Sequence, residues 1–318
     1  MSKYCDRKFG VSVNSGTDAL FLGLKSLGIG YGDEVITSPL SWIATANSIS
    51  MTGAVPVFAD IRNDLNLDPD SIECLINKKT KAIMPVHYAG KICPMDELIE
   101  IAEKYNLDVI EDASQAFSAH YKNRVAGSFG RIACFSLNPM KILPALGEAG
   151  IILTDDESIK NRLISLRYNG MVNREVCIEA GLNCRMDTIQ AAILLKQIKK
   201  VDSVVNKRRD IAKYYNQNIS DLVSIPIEQD MEKDVFYTYT IRTDKRDELK
   251  LYLESKGIEV KIRDPYLMPE QPAYKKGYIG KFPNSKILIK QLLCLPINEK
   301  MSIDDAKYVI MCIKEFFL

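Results

Sequence analysis

The sequence predicts an α/β protein, with a mostly parallel sheet flanked by helices and a smaller α+β domain at the C-terminal end. Three observations predict it. Short apolar runs alternate with segments of helical apolar spacing over the first two thirds of the chain. Loops of small and polar residues follow many of those runs, as they do at the carboxyl ends of parallel strands. Beyond about residue 200 the alternation gives way to a different pattern. Residues 1–200 are therefore expected to form the large domain, and residues 201–318 a linker helix and the small domain.

In chain order, residues 11–13 are a short strand entering Asn14-Ser15-Gly16-Thr17, and residues 18–27 have helical apolar spacing. Strand, small polar loop and helix together point free backbone N–H groups at an anion. The same Ser-Gly-Thr would also serve as an ordinary helix cap. Gly28-Ile29-Gly30-Tyr31-Gly32 follows that helix and lacks GxGxxG spacing, so it reads as a C-cap and turn rather than a dinucleotide loop. Strands are then expected at 34–37, 55–58, 82–86 and 107–110, the last ending in Glu111-Asp112. Helices are expected at 42–51, after Asp68-Pro69-Asp70, at 94–105 and at 113–117. A strand at 132–134 leads into Phe135-Ser136-Leu137-Asn138-Pro139-Met140-Lys141, followed by a strand at 151–154 and helices at 158–167 and 189–198. A charged amphipathic helix at 202–215 links to the second part, with strands at 236–241 and 258–261 and a helix at 246–256. Pro265, Pro269, Pro272 and Gly277 break up the next loop, and helices at 284–293 and 303–316 close the chain.

Composition excludes several classes. Lys and Arg number 42 against 41 Asp and Glu, a net charge of +1, and no basic run exceeds Lys207-Arg208-Arg209. Neither nucleic acid nor an anionic membrane is expected as the main partner. No apolar stretch approaches the ~20 residues a membrane helix needs, and residues 1–8 have no apolar run of the kind a signal peptide carries. Eight cysteines without a CxxC pair, and only two histidines, argue against a metal centre. Most of the cysteines sit among apolar neighbours and read as reduced core residues, which points to the cytoplasm.

Ser15, Trp42, His87, Asp112, Ser136 and Lys141 all fall at or just beyond strand ends, which suggests one shared site. Burial of Lys141 would lower its pKa and free the amine for Schiff-base chemistry. Asp112 is either a cap for the residues after it or a buried counter-ion for a cationic ring nitrogen. Spacing alone leaves Trp42 as a core or helix-staple residue.

Taken together, these stretches resemble the DegT/DnrJ/StrS aminotransferases, the nucleotide-sugar branch of the fold-type-I, aspartate aminotransferase-like, pyridoxal-phosphate (PLP) enzymes. The matching segments include SGTDAL (15–20), SWIATANSI (41–49), VIEDASQA (109–116), GSFG (127–130), CFSLNPMKI (134–142), GEAGIILTDD (147–156) and LNCRMDTIQAA (182–192). The resemblance implies PLP as cofactor, with Lys141 as its Schiff-base lysine and Asp112 facing the pyridinium nitrogen. It implies Gln115 beside the ring's phenolic oxygen, Trp42 stacked on the ring, and Gly16, Thr17 and Ser136 around the phosphate. Asn183 matches a phosphate contact supplied by the other subunit, so a homodimer with composite sites is implied. The implied reaction moves an amino group from an amino acid, L-glutamate, to a nucleotide-linked keto sugar. Lysine at 141 favours transamination over the dehydration of relatives with histidine there. Three departures stand out. Only residues 1–14 precede the SGT motif, where the family has some tens of residues that contribute to the dimer and to substrate contacts. Phe117 and Met268 stand where relatives often have histidine, and both are expected on the acceptor side, which opens a small phosphorylated ketone or ketose as an alternative acceptor. A non-catalytic PLP-binding regulator, or a dehydratase or isomerase on the same fold, are the other readings.

Overall fold

The computed structural model describes residues 1–275 and 279–318, so Gly277 lies outside the described residues. An eight-stranded sheet forms its centre. In chain order its first five strands are β1 (Phe9–Val13), β2 (Glu34–Thr37), β3 (Val55–Ala59), β4 (Thr80–Met84) and β5 (Asp108–Asp112). Across the sheet the order is β1, Gly150–Thr154, Ile132–Ser136, β5, β4, β2, β3 and Ile279–Lys281. From Ile132–Ser136 to the far edge every pairing is parallel. Gly150–Thr154 runs antiparallel to both of its neighbours. The expectation of a mostly parallel sheet flanked by helices holds.

Helices α1 (Gly16–Ser26), α2 (Ala44–Met51), α3 (Met95–Tyr105), α4 (Glu157–Leu166) and α5 (Thr188–Gln197) accompany the sheet. The long helix α6 (Val201–Ile219) leads to α7 (Arg246–Ser255), α8 (Pro283–Leu288) and α9 (Ile303–Phe317). Two core clusters pack against the sheet, one containing Ile36, Ile83 and Phe135 and the other Leu20, Leu22 and Ile110. A third joins α6, α7 and α9 to the pair Tyr239–Arg242 and Leu292–Leu295, through Tyr215, Tyr239 and Leu253.

Several elements differ from the sequence reading. The helix after Asp68 is only two single turns, Pro69–Ser71 and Glu73–Leu75. So short a stretch gains too few hydrogen bonds to offset helix nucleation. Residues 113–119 form successive turns rather than a helix, with Ala116 N–H on Ala113 O and Ala119 N–H on Ala116 O. The strand expected at 258–261 is reduced to a bridge between Lys261 and Cys294. The helix expected over 284–293 stops at Leu288, and the apolar run behind it becomes the strand Leu292–Leu295. Ile279–Lys281 extends the large sheet by pairing with β3, a contact the sequence reading lacks. Gly280 allows it: at φ 134° a Cβ would collide with the Phe58 carbonyl. Leu267, Met268 and Phe282, from either side of this strand, pack with Leu40, Phe58 and Tyr88 in a fourth cluster.

Candidate active site

The site grows from strand ends gathered at one edge of the sheet. After β1, Ser15 caps α1 by accepting the Asp18 N–H at 3.0 Å. Among the described residues, the Gly16 and Thr17 N–H groups take no partner within the protein. Such an end is a ready anion site, because its donors are unused and the helix dipole is positive there. Gly16 is required by close approach: a Cβ would lie 2.5 Å from the Ser136 Cβ. Ser136 ends its own strand beside this helix end, so hydroxyl and amides converge.

At the end of β5, Asp112 is 4% exposed. Its Oδ2 accepts the Thr45 hydroxyl at 2.8 Å, and its Oδ1 the Ser114 N–H at 3.2 Å. Thr45 is steadied by Ser41 at 3.0 Å. The Ser114 contact is the cap-like half of the two readings of Asp112, and the side chain also borders the cavity. Gln115 Oε1 accepts the Ala89 N–H and an Arg263 N–H, both at 2.9 Å.

The loop after Ile132–Ser136 is folded by its own asparagine, with Asn138 Oδ1 accepting the Met140 N–H and Asn138 O the Lys141 N–H. This turns Lys141 back toward the sheet, its Nζ 4.6 Å from the Tyr237 ring centroid. Burial pushes its ammonium below the usual lysine range; Arg263 adds to the effect, while Tyr237 and Asp112 oppose it. An amine so placed is more readily free to act as nucleophile and base.

Ser15, Gly16, Thr17, Trp42, Asp112, Gln115, Ser136 and Lys141 all border one cavity of about 550 Å³. Trp42 is 62% exposed in its wall, which corrects the expectation of a core residue. His87 is the exception among the strand-end residues. It is fully buried away from the cavity, its Nε2 3.0 Å from Glu111 and its Nδ1 accepting the Cys93 N–H. Asn183 does not border the cavity of its own chain; it is exposed, and its Oδ1 accepts Arg185 Nε. Phe117 and Met268 do not border the cavity either. Phe117 packs on Tyr4 and Phe135, and Met268 lies in the cluster around Phe58. Sequence reasoning missed Thr45, Tyr237 and Arg263. Thr45 lies inside the SWIATANSI segment, but nothing local marked Tyr237 or Arg263, which reach the cavity from the C-terminal part of the chain.

The donor set suits a phosphorylated cationic heterocycle. Unpaired amides and a hydroxyl that could hold a phosphate, a buried carboxylate that could pair with a ring nitrogen, and an amine of lowered pKa border the same cavity. Among the described residues no group of three or more metal-ligating side chains occurs.

Comparison with known proteins agrees. The family model for DegT/DnrJ/EryC1/StrS aminotransferases matches residues 1–314. A pleiotropic regulatory protein of Geobacillus stearothermophilus is 36% identical, covering 100% of this chain and 87% of that one. The dTDP-3-amino-3,4,6-trideoxy-alpha-D-glucose transaminase of Streptomyces venezuelae is 35% identical over 98% of this chain and 84% of its own. The crystal structure of S. venezuelae DesV in complex with a ketimine intermediate superposes with a TM-score of 0.96 at 35% identity, covering 99% of this chain and 86% of that one. Fold, cavity and likeness converge: this chain belongs to the DegT/DnrJ/EryC1/StrS family and is a pyridoxal-phosphate-dependent aminotransferase of fold type I.

Proposed function

We propose that this aminotransferase takes an amino group from an amino acid, L-glutamate, and delivers it to a nucleotide-linked keto sugar in amino-sugar or surface-polysaccharide biosynthesis. The observation that carries this reading is the single cavity joining Lys141, Asp112, Gln115 and the open end of α1. Relatives support the acceptor class, among them a dTDP-amino-sugar transaminase and a GDP-perosamine synthase.

Each residue then has a chemical task. Gly16 and Thr17 amides and the Ser136 hydroxyl bind the phosphate dianion. Trp42 covers one ring face. Asp112, held by Thr45 and Ser114, keeps a proton on the ring nitrogen, and Gln115 hydrogen-bonds the phenolic oxygen. When bound, PLP supplies the electron sink for the bond broken at the donor's α-carbon. Lys141 Nζ holds the cofactor and, once displaced by the donor, moves the proton from that α-carbon. Reversing the sequence with the keto sugar delivers the amine.

Asn183 completes the phosphate site of a second copy in a homodimer. Exposed Met140 at the cavity and exposed Ile189 and Leu195 on α5 support this, as apolar surface a second copy would cover. Eight free cysteines, six of them buried, fit the reducing cytoplasm.

The test is spectroscopic. The purified protein should turn yellow with PLP and convert to the pyridoxamine form on adding L-glutamate, and Lys141→Ala should lose transamination by at least about 10³-fold. A wild type that never takes up PLP sinks the reading. The regulatory relative motivates a second reading, a PLP-binding regulator without turnover. Binding of PLP without conversion by any amino acid would favour it.

A further inference from the structure

Away from Lys141, a cavity of about 230 Å³ opens between residues 63–65, the turn at 88–91 and residues 225–242. Its size suits a small molecule and falls below that of most ligand pockets. Ala89 borders it, and the Ala89 N–H is the group that holds Gln115 Oε1 in the site cavity. Phe236 and Thr238 border it as well, on either side of Tyr237, which borders the site cavity.

Asp234 gives this cavity its chemistry. The residue is 4% exposed and borders the cavity. Its N–H donates to Glu228 Oε1 at 2.7 Å, and its carbonyl accepts an Arg209 N–H at 2.8 Å. Among the described residues its carboxylate accepts no hydrogen bond. Lys91 Nζ stands 3.8 Å from Oδ2, beyond hydrogen-bond reach, and donates to Glu232 and to Ile227 O instead. Arg209, on α6, is taken by Glu228 in the same way. The other charged residues bordering the cavity, Asp64 and Arg242, are of opposite sign. Each cation is thus matched by another carboxylate, and Asp234 is left over. Burial lifts its carboxyl to about 7; Lys91 and Arg209 oppose the rise, while Glu228 and Glu232 add to it. A buried carboxylate without a partner is costly, and folded proteins ordinarily give such a group one.

The rest of the lining describes that partner. Leu65, Ile225 and Pro226 are apolar, and Tyr88 and Phe236 are aromatic, a setting that suits an organic cation. Among the described residues no group of three metal-ligating side chains occurs, so the donor set does not suit a metal ion. Leu65, Ala89 and Phe236 also hold left-handed backbone, at φ 73°, 57° and 47°. That conformation is costly for a residue with a Cβ, and such strain gathers at ligand sites. We propose that this cavity is a second ligand site, in which Asp234 receives the ammonium group of a small organic cation.

The experiment titrates the PLP-loaded protein with trimethylammonium, followed by calorimetry. This cation has one N–H donor, cannot condense with PLP and stays charged between pH 6 and 8. It should bind wild type at pH 8 with a dissociation constant below about 10 mM. Affinity should fall about tenfold at pH 6, because the carboxyl takes its proton around 7 and only the ionised form pairs with a cation. Asp234→Asn should bind at least about tenfold more weakly and lose that pH dependence. tert-Butanol, of similar shape but uncharged, should not compete. Weaker binding than about 10 mM in wild type, equal affinity in folded Asp234→Asn, or equal binding of tert-butanol would each overturn the proposal. Trimethylammonium held by Asp112 or Glu148 in the site cavity would keep its affinity in Asp234→Asn, and so counts against it. If the asparagine variant does not fold, the wild-type pH profile and tert-butanol decide. None of these readouts depends on turnover, so the outcome stands apart from that of the transamination test.

Discussion

Glu111 and Asp112 are neighbours on one strand, both buried, both carboxylates, and they do opposite things. Successive side chains of a strand point to opposite faces. Glu111, 0% exposed, accepts the backbone N–H groups of Gly127, Phe129 and Gly130 at 2.7, 2.8 and 2.7 Å. Its remaining contact is His87, whose Nε2–H donates because Nδ1 is occupied by the Cys93 N–H. Its acceptor capacity goes into tying the 127–130 turn and His87 to the sheet. Asp112 takes two donors and borders the cavity. A buried carboxylate whose lone pairs are saturated by the fold is structural; one left partly open at a cavity is available for chemistry.

The pair can be tested directly. Asp112→Asn should lower the rate of transamination by about 10²- to 10³-fold. It should still bind PLP, with a melting temperature close to wild type, and a variant that retains full turnover would remove Asp112 from the proposed mechanism. Glu111→Gln should do the reverse. It turns an amide N–H toward backbone donors and leaves one of them unpaired, at a cost of about 1–3 kcal/mol in urea unfolding. Whatever enzyme stays folded should turn over nearly normally.

The pH dependence sharpens the contrast. Burial raises the Glu111 pKa, but His87 and the backbone N–H donors outweigh it, and the group ends below its ordinary 4.5. A depressed folded pKa contributes stability above the unfolded value, lost as pH falls through the folded one. Wild-type stability should therefore decline from about pH 4.5 downward. In Glu111→Gln that part of the acid limb should be flattened. Urea melts between pH 3 and 6, on the order of that window, read the difference.

Smaller effects are expected at the other walls. Gly16→Ala forces a Cβ onto Ser136 and should weaken PLP by about 1–3 kcal/mol, through displacement of the helix end. Titration of apoprotein with PLP measures it. Trp42→Ala removes a stacking face that is open to solvent, and should cost about 0.5–1.5 kcal/mol in the same titration. A loss at Trp42 exceeding that at Gly16 would reverse the relative importance assigned to ring and phosphate.

The strand–helix rhythm of the first two thirds was legible because each amphipathic period is local, and the strands β1 to β5 fall close to where the apolar runs place them. The same rhythm put most site residues at strand ends, and Lys141 was marked by its place in a small-residue loop. Strand-end position did not separate His87 from the others, because an end position does not say which face a side chain takes. Residue type likewise did not show that Phe117 and Met268 pack in the core away from the cavity bordered by Lys141.

By itself, then, the sequence determined the parallel sheet, the cap at Ser15, and the order of the residues that carry the family's chemistry. Alternation also required Glu111 and Asp112 to face apart. Only the tertiary structure decided which of them met the cavity, since that depends on where Gly127 to Gly130 and Thr45 arrive. It likewise brought Tyr237 and Arg263 to Lys141, and Ile279–Lys281 to the edge of the sheet. These contacts join segments far apart in the chain, and they form because packing of Leu267, Met268 and Phe282 against Phe58 and Tyr88 is satisfied nowhere nearer in sequence.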